Sequence, residues 1–243
     1  MFDHVHIPAR RLLPGLVAAM ALLAMAGTAS AATPPGHYTI SANGGAVFPL
    51  QTSGNLVSGA SDDHVYYLST TGTGLQKLPF TINYYNHGYK KIGISTNGNI
   101  QFGVDPVNVP GTTEYANDCL ASPAFAKTVA MPFWDDLYFD STDTSSGFVE
   151  GVFVKTKGSP PHRTFAVNWQ GHRYNESGVK VLARAVFTEG SQTLTYTYGV
   201  PGGGSATIGT QFAGGTTDTQ WSCNSGSGTT VTNGMKLTFL HAN

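Results

Sequence analysis

Lys180-Val181-Leu182-Ala183-Arg184-Ala185-Val186-Phe187 carries both charged side chains on one parity and Val181, Ala183, Ala185 and Phe187 on the other. Successive side chains of a strand point to opposite faces, so a period of two marks a half-buried β-strand. Residues 193–198 repeat the logic, with Thr193, Thr195 and Thr197 alternating with Leu194, Tyr196 and Tyr198, and Phe165, Val167 and Trp169 extend it. Asn97-Gly98 separates residues 91–96 from 99–103, which predicts a hairpin with a type I′ turn, because both residues tolerate positive φ. Asn233-Gly234 marks a second turn before a last strand over 235–240. The polar stretches 140–146, 201–205 and 214–219 read as loop tips. No helical period competes, and neither a repeat nor a composition break divides residues 32–243. The expectation is an all-β fold: one β-sandwich domain over 32–243, jelly-roll-like, of mostly antiparallel strands.

Composition agrees. The 243 residues are 40% hydrophobic and 11% charged, with 30 glycines, which excludes a disordered chain and suits an extracellular β protein. Thirteen basic against fourteen acidic residues leave a formal charge of −1, so no long-range field draws the chain to nucleic acid or anionic lipid. Arg10 and Arg11, an apolar run over 12–25 and Ala29-Ser30-Ala31 are the three parts of a secretory signal peptide over 1–31, cleaved after Ala31. That run is shorter than the roughly 20 residues of a membrane span, and the flanks fit the twin-arginine route poorly. The expected location is therefore secreted or periplasmic, without a membrane span. In such a compartment Cys119 and Cys223 read as a disulfide, the alternative being two separate buried thiols.

Three blocks carry a resemblance. They are Leu78-Pro79-Phe80 with Tyr85, Tyr89 and the hairpin Ile94-Ser95-Thr96-Asn97-Gly98-Asn99-Ile100-Gln101-Phe102-Gly103; then Met131-Pro132-Phe133-Trp134-Asp135-Asp136-Leu137; then Phe165-Ala166-Val167-Asn168-Trp169. Their order resembles nidogen-type extracellular modules. It is still more similar to β-sandwich modules of secreted bacterial surface proteins, in which a stretch like Ala206-Thr207-Ile208-Gly209-Thr210-Gln211 follows a Tyr-rich strand. The likeness spans most of residues 75–223. It implies a non-catalytic module active in adhesion, matrix contact or accessory binding, and assigns no binding residues.

Catalytic signatures are sparse. The G-x-S-x-G elbow is absent: Gly93-Ile94-Ser95-Thr96-Asn97 begins like it but ends in Asn and lies in a hairpin strand. His37, His64, His87, His162, His172 and His241 are scattered without zinc spacing and read as loop or surface residues. Asp135 and Asp136, with Asp140 and Asp143 soon after, either tie a strand end to backbone amides or hold a calcium ion; neighbours on a strand point apart and cannot by themselves be a glycosidase pair. Asp62-Asp63-His64 reads as structural. Tyr84, Tyr85 and Tyr89, with Asn86 and His87, have the rings and amides that bind carbohydrate, but alternation splits them between two faces. Trp134 reads as core, with stacking on sugar as its alternative. Asn175-Glu176-Ser177 is a glycosylation sequon only in a host that uses it.

The leading expectation is a secreted, non-catalytic binding or adhesion module, with no cofactor unless calcium, that recognises an extracellular glycan or protein through loops at one end of the sandwich. The alternatives are a glycan-active hydrolase or lyase, with Asp136 and Glu150 as the first carboxylates to replace, and a structural subunit that pairs with copies of itself through edge strands.

Overall fold

The computed structural model describes residues 36–143, 149–202, 204–224, 227–228 and 230–242. The signal-peptide expectation, and the part of the 140–146 tip beyond Asp143, lie outside the described residues. Strands follow one another as β1 (His37–Gly44), β2 (Ala60–Ser61), β3 (Val65–Ser69), β4 (Ile82–Tyr84), β5 (His87–Tyr89), β6 (Lys91–Ser95), β7 (Ile100–Phe102), β8 (Val129–Trp134) and β9 (Leu137–Asp140). Then come β10 (Gly151–Lys157), β11 (Thr164–Arg173), β12 (Glu176–Thr188), β13 (Leu194–Pro201), β14 (Thr207–Gln211), β15 (Asp218–Cys223), β16 (Ser227–Gly228) and β17 (Met235–Ala242).

Two antiparallel sheets result. The first runs β1-β17-β13-β12-β11-β9-β2, and β10 shares the outer edge of β11 with β9; the second runs β16-β15-β14-β8-β7-β6-β3. The alternation of β12 does what its period dictates: Val181, Ala183, Ala185 and Phe187 are buried while Arg184 and Val186 are half-buried on the other face. One inner row crosses the first sheet as Val154, Val167, Ala185, Tyr196 and Leu237. The small Ala185 makes room beside Tyr196, the large-against-small fitting that close packing needs. Buried polar tips join the layers. Trp169 Nε1 donates to Ser95 O (2.8 Å), Tyr196 Oη to Gly209 O (2.9 Å) and Tyr198 Oη to Pro132 O (2.8 Å). Each bond spares a buried donor an unpaired state that costs about 1–3 kcal/mol.

Both sheets are also partly covered on their outer faces. The long connection 103–128 lies over the second, where Phe125 stands edge-on to Trp134 at 4.8 Å and packs with Val129 and Met131. Trp134 is therefore buried as expected, but under this connection and not between the layers. Glutamines on the strands pin the covers by two-way amide bonds. Gln101 exchanges hydrogen bonds with Thr112, Gln211 with Ser122, and on the first sheet Gln170 with Gln51. Cys119, in the same connection, is bonded to Cys223 at the end of β15, with Cα atoms 5.4 Å apart.

The turn expected at Asn97-Gly98 is corrected. Ile94 pairs with Ile100 and Ser95 N donates to Asn99 O, so the connection has three residues, and of the pair only Gly98 has positive φ (69°). The type I′ signature falls instead at Tyr85 (φ 48°) and Asn86 (φ 60°), between β4 and β5. Tertiary packing overrides local preference there: Tyr85 is fully buried against Tyr38 and Phe212, and Asn86 is clamped from both sides by Gln192. The same turn sends Tyr84 and Tyr85 into one core, which corrects the expectation that alternation would divide them. Residues 218–219, read as part of a loop tip, open β15.

Candidate functional site

The loops at one end of the sandwich gather acids. Asp62 and Asp63 follow the short β2, and Asp136 sits in the turn between β8 and β9. One carboxylate oxygen of each lies within 4.8 Å of those of the other two. The hairpin tip holds them there: Asn97 Nδ2 donates to Asp63 Oδ1 (2.7 Å) and to Thr113 O (2.9 Å), while its Oδ1 accepts from Leu137 N (3.1 Å). Burial, then repulsion from Asp62, Asp63 and Asp135, push the Asp136 carboxyl up to about 6, against a smaller opposing pull from Arg173. Burial and Asp63 also raise Asp62.

The other predicted acids are engaged elsewhere. Asp135 is buried, accepts from Asp136 N and Ser205 Oγ, and forms an ion pair with Arg173 (3.1 Å). Asp140 accepts from Thr142 N and Oγ1, and Asp143 N donates to Asp140 O. Asp140 closes β9 at the end away from Asp136, so the structure groups Asp136 with Asp62 and Asp63 and leaves Asp135, Asp140 and Asp143 outside that group. Glu150 is buried, faces His172 Nδ1 at 2.9 Å and accepts from Asp140 N, which fills the carboxylate named for a hydrolase. His172 is thus a strand residue with a partner, contrary to the loop reading. Tyr84, Tyr85 and Trp134 are fully buried, so none of these rings offers a face to a ligand at the surface.

A groove of about 990 Å³ begins at His64, next to Asp63, and follows β3 to Asp105 and Asn108. β3 ends the second sheet. Thr96 N donates to His64 O and Thr70 N to Lys90 O, and the alternation of an antiparallel ladder turns the backbone groups of Val65, Tyr67 and Ser69 away from β6. Ser69 O is taken by Gly72 N and Leu78 N; the N–H and C=O groups of Val65 and Tyr67 meet no backbone partner among the described residues. Leu75 (45% exposed) and Val107 (82%) wall the groove. Among the described residues Asp105 is the single carboxylate along it, held down at about 2 by the amides of Asn108 and Val107 and by Lys91.

Sequence reasoning missed both features. Asp62 and Asp63 carry no motif, and an edge strand looks like any other strand until its neighbours are known. No helix among the described residues is long and apolar enough to cross a membrane. A family model described as NIDO related matches residues 37–240. No curated protein and no solved structure matches the chain.

Proposed function

The chain belongs to the nidogen-related family, and from that premise we propose that it is an exported, non-catalytic recognition module that binds an extracellular protein by adding one of its extended segments to β3. The observation that carries this reading is the open edge at Val65 and Tyr67 along an apolar-walled groove. Strand addition uses main-chain hydrogen bonds for affinity and alternate side-chain pockets for selectivity. A glycan has no backbone of that period, which favours a polypeptide. Asp62, Asp63 and Asp136 at the head of the groove supply oxygen ligands of the kind calcium takes. Export is supported by the signal-peptide pattern, the disulfide and the family.

The purified chain is screened on arrays of extracellular proteins and of glycans, with calcium and with a chelator. Selective capture of a polypeptide is expected, at least tenfold weaker for Tyr67→Pro. Proline removes an N–H that the ladder to β6 does not use, so the fold persists. Tyr67→Phe, which loses only the bond from Gly111 N to the hydroxyl, keeps the affinity within about threefold. Capture of glycans alone, unchanged binding by Tyr67→Pro, or turnover of the captured ligand would overturn the reading.

A further inference from the structure

The outer face of the first sheet holds a second recess, of about 210 Å³, whose lining includes Lys155, Lys157 and Arg184 and, among the described residues, no acid. Its shape follows from the register. Lys155 pairs with Ala166 and Lys157 with Thr164, while Ala166 pairs with Val186 on its other side. The small Ala166 leaves depth between longer neighbours. Arg184 stands one pair along, opposite Asn168, with its guanidinium carbon 3.8 Å from the centroid of the Phe48 ring and its Nε donating to Asn168 Oδ1.

Among the described residues, the five N–H donors of this half-buried guanidinium meet one side-chain acceptor, Asn168 Oδ1. No carboxylate lies within ion-pair reach of Arg184, Lys155 or Lys157 among the described residues. Burial alone pushes Arg184 down to about 10, still charged at neutral pH. By contrast Arg163, which precedes Thr164 at the lysine end of the recess, is paired with Glu189. A desolvated cation left without its counter-charge is a costly arrangement for folding alone, and an anion relieves it.

We propose that this recess is an anion subsite that takes a single carboxylate carried on a small group such as a uronic acid ring. The planar guanidinium edge pairs with a planar carboxylate through two parallel hydrogen bonds, and Lys155 and Lys157 add charge at the rim. Phe48 backs the guanidinium and fixes its plane. The volume lies below the roughly 300–1,000 Å³ of sites that enclose a whole drug-sized ligand, so the recess accepts one acidic group and not a complete partner. It lies on the first sheet whereas β3 ends the second, and it stands whether or not the strand-addition reading does.

Titration calorimetry of the whole protein with glucuronate, glucose and inorganic phosphate tests the assignment. Glucuronate binds and glucose does not, and raising salt weakens the binding. Arg184→Lys lowers affinity about tenfold, the worth of one charge-assisted bond, because an ammonium cannot pair bidentately. The double variant Lys155→Gln with Lys157→Gln, on exposed side chains that leave the fold intact, lowers it about threefold to tenfold. Equal binding of glucose, no binding of glucuronate, or unaltered affinity in the lysine double variant overturns the subsite. Phosphate binding more tightly than glucuronate at the same residues overturns the carboxylate assignment.

Discussion

Asp136 bears the cost of its position. Its carboxyl is raised to about 6 by burial and by three neighbouring aspartates, so the folded protein holds that proton more tightly than the unfolded chain does. The sign follows from linkage: the group reduces stability above about pH 6, the penalty fades as pH falls through that value, and it is gone below the unfolded value near 4. Water screens this half-exposed site, so the penalty at neutral pH is about 1 kcal/mol or less. Asp136→Asn therefore raises the melting midpoint at pH 7.5 by up to about 2–4 °C and leaves it unchanged at pH 4. A thermal melt at the two pH values measures the difference; a lower midpoint at pH 7.5 would show that the carboxylate is held by favourable contacts.

The hairpin from β6 to β7 shows how an element depends on one approach distance. A Cβ on Gly98 would lie 1.7 Å from Phe133 O, at a φ of 69°. Neither the neighbouring strand β8 nor the turn can yield, because Phe133 N donates to Gly98 O and Asn97 holds Leu137 N. Gly98→Ala is expected to cost about 3 kcal/mol or more, in the range kept for backbone clashes and strained φ. Urea unfolding reads it directly, and a loss under about 1 kcal/mol would mean that the strands part easily there. The Asn97-Gly98 pair was legible as a hairpin because turn chemistry is local. Its type was not, because Asn97 spends its side chain on Asp63 and Leu137, residues distant in sequence.

For the molecule as a whole, the bond between Cys119 and Cys223 ties the cover of the second sheet to β15 across a separation of 104 residues. A cross-link of that span limits the unfolded chain by about 4–5 kcal/mol in the entropic account, and natural disulfides removed from small secreted domains typically cost about 2–5 kcal/mol. Replacing both cysteines by serine should lower stability by that latter amount in urea unfolding. A change below about 1 kcal/mol would mean that the amide bonds to Gln101, Gln211 and Gln220 hold the covering connection without the bridge.

The sequence by itself determined the layers. The parity of residues 180–187, the alternating threonines and tyrosines of 193–198 and the spacing of Phe165, Val167 and Trp169 each specify a strand and the face it buries, since a period of two is written within a few consecutive residues. The cysteine pair was legible from count and compartment. Only the tertiary structure decided that Asp62 and Asp63 meet Asp136, that β3 ends its sheet with one edge unpaired, and that Arg184 has no carboxylate in ion-pair reach among the described residues. Those outcomes depend on which strands pair, in what register, and on which segments fold back over the outer faces. That information resides in contacts between residues tens to more than a hundred positions apart, and no local period records it.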